Sequence, residues 1–357
     1  MSPPALLSLP DLPTALRALL AQIPRGCVTT FGDLATALGD IAAARWVAQW
    51  LRDEWQLFSG ATGTALRARV LPSAKEHGHA EPCPWHPTQE VSHRVVLRTG
   101  ELPHWTDELQ AWQTAMLEAD GVPFIARGRI DPVARWSAFV TDHPLRRLSE
   151  WQTATASQAV WTPWPTVPDI IGGVDLSYAS PTSAVAAYVA VEVATGNVIF
   201  EHTVTAAVPF PYIPGYLTFR ELPPLLALLD NVRLQTALAP VILVDGTGRL
   251  HPRQSGLAVS VGLCGGCTTV GVSKHQLCGQ VREDDPLDGC PTIWQQSECL
   301  GVVMMTGSKR RTVFLSPGTG IALPSAIRMV RAVWSTERLP RPIARADTLS
   351  RKVARGR

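Results

Sequence analysis

Residues 170–193 read IIGGVDLSYASPTSAVAAYVAVEV, two runs of β-branched and small apolar residues (170–178 and 184–193) around a polar, proline-containing break. Runs of this kind are strand signals, and Thr195-Gly196 supplies the hairpin turn into a third strand predicted over 197–203. Further on, 240–244 and 268–272 are short, fully apolar strands with a helix predicted over 253–263 between them. Strands over 302–306 and 312–316 follow, then a helix over 323–334. A meander succeeded by strands that alternate with helices predicts an α/β domain on a mixed sheet.

Two acids stand where apolar runs stop. Asp175 closes IIGGV and Asp245 closes VILV. An acid at the end of a buried strand is costly unless something compensates it, most simply a divalent cation. Taken alone, Asp245-Gly246 also reads as a turn. A third carboxylate comes from 211–221, PYIPGYLTFRE. Pro211 and Pro214 fix the backbone around Tyr212, so that its ring is held out rather than packed away. Gly215 frees the chain before an amphipathic run, and Glu221 falls early in that run, near the positive end of a helix dipole. The stretch reads either as a proline-rich loop entering a capped helix or as an aromatic prong beside a reacting carboxylate. Asp175, Glu221 and Asp245 together offer three hard oxygen donors, the composition of a magnesium site for cutting phosphodiesters.

Upstream, apolar residues recur at helical spacing from Leu12 to Ile23 until Pro24-Arg25-Gly26 ends the run. An amphipathic stretch over 33–38, Gly39 and a second helix over 42–51 read as a helix-turn-helix, or as two packed helices without a nucleic-acid role. A helix is predicted over 144–160, ahead of the Pro163-Trp164-Pro165 breaker. At 357 residues the chain is long enough for two domains with cores of their own. Its net charge of +2 excludes a general polycation, yet 28 of its 32 basic residues are arginine. Arginine suits phosphate recognition and stacking on bases, although a GC-rich coding sequence gives the same excess. No run approaches the roughly 18 apolar residues of a membrane span, and the N-terminus lacks the basic region of a signal peptide. Seven cysteines without framework spacing fit a reducing cytoplasm.

Three local clusters carry weaker signals. His77, His79, Cys83 and His86 are metal-ligand types at compact spacing, a zinc clip or a solvated loop, and the spacing matches no established zinc motif. Cys264 and Cys267 form a C-x-x-C that reads better as small buried core residues than as a zinc or redox pair. Residues 337–357 are rich in arginine and read as a flexible basic tail, with phosphate contacts or none.

IPRGCVTTFGDLATALGD (23–40) followed by AAARWVAQWL (42–51) closely resembles the DNA-binding domain of the O6-alkylguanine-DNA alkyltransferases and their alkyltransferase-like relatives. LEADGVPF (117–124) and GRID (128–131) continue the likeness. The resemblance implies that Phe31 helps to rotate a damaged nucleotide out of the duplex and that Arg45 fills the vacated stack. The family's reactive Pro-Cys-His-Arg-Val corresponds to Val91-Ser92-His93-Arg94-Val95. Serine stands in place of cysteine, and a hydroxyl needs a dedicated base to act as nucleophile. Binding of altered guanine at Ser92, His93 and Arg94 without alkyl transfer is therefore expected.

The second half resembles endonuclease V, the deoxyinosine-directed nuclease family, through GVDLSY (173–178), PYIPGYLTFRE (211–221), VDGTGRLHPRQSGLA (244–258) and GVSKHQLCG (271–279). That likeness implies a ribonuclease H-like fold, a metal held by Asp175, Glu221 and Asp245, and Lys274 beside the scissile phosphate. Tyr212, with Pro211 and Pro214, corresponds to a wedge that parts the strands. Gly215, Gly246, Gly248 and nearby His251 correspond to the pocket for a flipped hypoxanthine. The implied reaction is hydrolysis 3′ to deoxyinosine with Mg²⁺, or Mn²⁺ in its place. Thr319 stands where the family has histidine, Thr247 replaces another, and 322–325 lacks an expected acid; loss of outer ligands would weaken the metal.

The expected organisation is an α/β chain with a helical, winged helix-turn-helix-like domain (1–137, insertion 55–90), a linker (138–145), a ribonuclease H-like mixed-sheet domain (146–336) and the tail (337–357). The expected partner is damaged single- or double-stranded DNA carrying inosine or O6-alkylguanine. A damage-binding module with a decayed nuclease and an inosine-specific ribonuclease acting on RNA stand as alternatives. A cytoplasmic monomer without membrane attachment is expected.

Overall fold

The computed structural model describes residues 8–61, 91–306, 311–334 and 337–356. The cluster His77, His79, Cys83 and His86 lies outside the described residues. Residues 10–147 form one compact unit and the remaining residues another.

In the first unit, α1 (Leu12–Leu20) precedes the two-residue strand β1 (Thr29–Thr30) and α2 (Phe31–Leu38). Thr30 and Asp33 cap α2 reciprocally, each side chain bonding the other's backbone N–H. Gly39 ends the helix in the left-handed region at φ +111°, and a Cβ there would lie 2.8 Å from the Arg146 nitrogen. A short 3₁₀ turn then enters α3 (Ala44–Ala61), so the predicted pair of helices is present. Strand β2 (Val95–Val96) pairs parallel with β1; α4 (Asp107–Ala119) and a small hairpin of β3 (Phe124–Ala126) and β4 (Arg129–Ile130) complete the unit. Leu16, Leu20, Leu34, Leu38, Val47 and Leu51 are fully buried by these helices.

Helix α5 (Pro144–Ala156) leads into the second unit, where β5 (Ile170–Ser180), β6 (Ser183–Glu192) and β7 (Val198–Ala207) form the predicted meander. After α6 (Leu217–Arg233) come β8 (Val241–Asp245), α7 (Leu257–Gly265) and β9 (Thr269–Ser273). Then follow β10 (Gln280–Leu287), β11 (Cys290–Gln295), β12 (Glu298–Thr306) and β13 (Arg311–Pro317), and last α8 (Leu323–Ala332) and α9 (Arg341–Ala354). The nine strands make one mixed sheet in the order β10-β11-β12-β13-β9-β8-β5-β6-β7, with β5, β8 and β9 parallel.

The two-residue period of the strands decides what each face meets. Val174, Ala186, Tyr188 and Ala190 pack with Leu222, Leu225, Leu229 and Ala258 under α6 and α7. On the opposite face Ile171, Val241, Val270 and Val272 pack with Ile327, Val330 and Ile343 of α8 and α9. Ala187, Val189 and Val191 meet Ala346 of α9.

Three sequence expectations need correction. The helix predicted from 253 begins at Leu257, because 251–254 close a turn with Gln254 at φ +51°. The β10–β11 hairpin was not predicted: VREDDP is charged on both faces and exposed, which conceals the strand period, although Asp288-Gly289 is a hairpin turn sequence. The segment expected as a flexible tail is α9, docked on the sheet. Pro342, Ile343, Ala346 and Ser350 recur at helical spacing and are buried, while the basic residues take the other face.

Close docking of α9 depends on Gly173, where a Cβ would lie 2.4 Å from the Pro342 carbonyl carbon. Gly173→Ala is expected to cost about 1–3 kcal/mol by overpacking, read as a lower urea midpoint. An unchanged midpoint would mean that α9 is not held this closely.

Candidate active site

Parallel pairing of β5 with β8 places Val174 beside Val244, so Asp175 and Asp245 emerge next to each other where β8 ends and its pairing with β5 stops. The crevice beyond the carboxyl ends of parallel strands is where open α/β sheets place ligands. β9 ends on the same edge, and the next residue, Lys274, sets its Nζ 2.6 Å from Asp245 Oδ2. Gly173, Asp175 and Ser177 share the face covered by α9. There Ser350 donates to Asp175 Oδ2 at 2.9 Å and lies 2.8 Å from the Ser177 hydroxyl. One turn earlier Asp347 joins the group: carboxylate oxygens of Asp175, Asp245 and Asp347 all lie within 4.8 Å of one another.

Burial, and then the charge of Asp245, push the Asp175 carboxyl up to about 8. An all-oxygen donor set of this density fits a hard divalent cation such as Mg²⁺ or Mn²⁺, whose charge would offset that repulsion. Among the described residues this is the group whose geometry suits an ion. Glu221, on the second turn of α6, lines the same cleft but stands outside the 4.8 Å group. Its Oε1 accepts from the Tyr178 hydroxyl at 2.8 Å, and burial raises its pKa to about 7.

The cleft has a volume of about 400 Å³ and brings together most of the residues singled out in the sequence: Tyr212, Pro214, Gly215, Gly246, His251 and Lys274 besides the acids. Tyr212 is 58% exposed on its loop, as the flanking prolines predicted. The Gly215 carbonyl accepts from Arg253 at 2.7 Å and Gln152 at 3.3 Å, with His251 Nε2 at 3.2 Å. Arg253 also stacks on Tyr216, 4.6 Å from its centroid. These bonds anchor the loop that carries Tyr212. Burial, with the Arg253 charge second, lowers the His251 pKa to about 4 and keeps the ring neutral.

Pro211 and Gly248 are not in the cleft wall. Gly248 instead lets β13 approach, since a Cβ there would meet the Pro317 carbonyl at 2.1 Å. Thr319 does not face the carboxylates either. It is buried and its hydroxyl accepts from the Val160 amide at 3.2 Å. Thr247 lines the cleft. Asp347 and Ser350 were missed because 337–357 was read by its charge; the helical spacing of the uncharged residues 342, 343, 346 and 350 was the available signal. Cys264 and Cys267 pack against the sheet core, with burial raising both thiols to about 11.

In the first unit, Arg45 is exposed at the start of α3 and Phe31 opens α2, its ring 6.3 Å from Trp105. Ser92 is buried and its hydroxyl accepts from Trp55 Nε1 at 2.7 Å. The Trp55 ring in turn lies 4.3 Å from Trp105 and 5.6 Å from Trp112. The buried His93 reaches Asp120 at 2.7 Å, and Arg94 is held by Asp120 at 2.6 Å and by the Ile23 carbonyl at 2.8 Å. Burial raises the Asp120 pKa, but its bonds to Arg94 and His93 outweigh this and hold the carboxyl below the usual range.

The sequence model of the endonuclease V family matches residues 154–348. A bifunctional methyltransferase/endonuclease of Picrophilus torridus is 31% identical over 322 residues, which cover 90% of each chain. Among solved structures, endonuclease V of Streptomyces avermitilis is 30% identical with a TM-score of 0.53, covering 61% of this chain and 95% of that one. Endonuclease V of Ciona intestinalis, solved with a 24mer DNA containing an inosine followed by a ribo-adenosine, shares the fold at 22% identity and TM-score 0.53, covering 60% and 99%.

The raised Asp175 pKa has a consequence for stability without metal. An acid near 3.8 in the unfolded chain and about 8 in the fold is protonated longer in the fold, so it costs stability as pH rises from 4 to 8. In chelator, Asp175→Asn is expected to melt above wild type at pH 8, by about 2–4 °C for each kcal/mol of repulsion relieved, and the gap should close towards pH 4. A variant melting below wild type at pH 8 would contradict this origin of the shift.

Proposed function

The chain belongs to the endonuclease V family, and we propose that it nicks DNA on the 3′ side of deoxyinosine with Mg²⁺ or Mn²⁺ held by Asp175, Asp245 and Asp347, with Glu221 beside them in the same cleft. It is a DNA repair endonuclease; the substrate, the side of cleavage and the ion are the parts proposed. The reading rests above all on the carboxylates of Asp175, Asp245 and Asp347 within 4.8 Å, in a cleft that Tyr212 borders from an exposed loop.

When bound, the cation supplies an activated water and stabilises the departing oxygen. The protein's own groups do the rest. Tyr212 enters the duplex beside the lesion and holds the strands apart, its loop kept rigid by the bonds to the Gly215 carbonyl. The extruded base is received near Gly215, Gly246 and neutral His251, whose ring nitrogens are held by the Gly215 carbonyl and the Arg253 amide, so that it shapes the pocket without adding charge. Lys274, already drawn to Asp245, lies close enough to the acids to steady the phosphate. The DNA in the Ciona relative's structure contains inosine, in keeping with this substrate.

The first unit serves as a damage-binding domain that recognises alkylated guanine, with Phe31 and Arg45 acting on the duplex, and does not take up the alkyl group. Ser92 is a poor nucleophile here, because Trp55 donates to its oxygen and the neighbouring imidazole is turned to Asp120.

A duplex with a single inosine, incubated with Mg²⁺, should be nicked once, and Asp245→Ala should lower the rate by at least about a hundredfold, on the scale of a catalytic group's loss. Intact duplex with wild type, or equal cutting by the variant, would refute the assignment. For the first unit, DNA carrying a labelled O6-alkylguanine should be retained in a gel shift without label passing to the protein. Labelled protein whose label disappears in Ser92→Ala would show alkyl transfer after all.

A further inference from the structure

Arg351 lies in the wall of the acidic cleft, on the last turn of α9, with Nη2 2.8 Å from Asp347 Oδ1. Its side chain is 56% exposed, against 21% for Asp347. An aspartate four residues before an arginine is a favourable helix pair, and a purely structural role would end there. The surroundings point further. Asp347 belongs to the carboxylate group, so a cation held there competes with the guanidinium for the charge of the same carboxylate. An exposed ion pair is worth no more than about fivefold in an equilibrium constant, and a divalent ion in an oxygen cage wins that contest. The displaced guanidinium remains tethered one helical turn from Asp347, at the cleft mouth. Its planar fork of donors matches two phosphate oxygens. The other cation of the wall, Lys274, is tied to Asp245 at 2.6 Å and is less exposed.

We propose that Arg351 is a positioning residue that exchanges partners, neutralising Asp347 before the metal arrives and holding a backbone phosphate of the bound nucleic acid afterwards. The exchange rests on the metal-holding role proposed for the cleft. It also explains how acids of one sign face a polyanion: each cation that enters frees a protein cation for the substrate.

Full-length wild type, Arg351→Ala and Arg351→Lys test it in two measurements without turnover. The first is calorimetric titration with MnCl₂. The second is binding of an inosine duplex with phosphorothioate linkages around the lesion, in Mn²⁺ at several salt concentrations. Arg351→Ala is expected to bind Mn²⁺ roughly two- to fivefold more tightly, having lost the competitor. The same variant should bind the duplex more weakly, with the slope of log K against log salt reduced by about one. Arg351→Lys should recover that slope, which a helix-stabilising role alone would not move. Mn²⁺ uptake by wild type that Arg351→Ala leaves unchanged or weakens, or an unchanged salt slope, would overturn the exchange alone. No Mn²⁺ uptake by wild type would overturn the metal reading and the exchange with it.

Discussion

The approach of Pro342 to the bare backbone at Gly173 sets the distance between α9 and β5. Because α9 lies this close, Ser350 reaches Asp175 and Asp347 reaches the carboxylates of β5 and β8. The same helix buries Ile343 against one part of the sheet core and Ala346 against another. Packing and site assembly are therefore one event: a helix that failed to dock would leave Asp175 without its hydroxyl partner and the carboxylate group without a member.

The group so assembled is held against its own electrostatics. Asp175 is buried beside Asp245, and each acid of the cleft is met by a neighbour that moderates it: Lys274 for Asp245, Arg351 for Asp347, the Tyr178 hydroxyl for Glu221, Ser350 for Asp175. Crowded acids with shifted pKa values are a cost to the fold that a binding site retains for its ligand. Lys274 and Arg351 are partly exposed and can move without disturbing the core. Ser350 is fully buried and fixes one oxygen of Asp175.

Much of this was legible in the residues. The apolar run ending in Asp245 marked a strand end, Asp175 proved to lie within β5 where its apolar run stops, and the parallel register of β5 and β8 made the two neighbours. The prolines around Tyr212 foretold an exposed ring, and Gly39 marked the turn between the two helices of the first unit. Three things were hidden for physical reasons. The charge of 337–357 masked a short amphipathic face that becomes visible only against a sheet. β10 is exposed on both faces, so no alternation betrays it. A side chain's direction is the third: Thr319 points to the Val160 amide, which no linear motif records.

That α9 completes the metal-holding group is tested most directly by the Mg²⁺ dependence of nicking at inosine in Asp347→Asn and wild type. With the fold intact by circular dichroism, the half-maximal Mg²⁺ concentration of the variant is expected to rise by at least about tenfold. A variant that nicks at the wild-type Mg²⁺ concentration and rate would show that the last helix contributes stability and no part of the site.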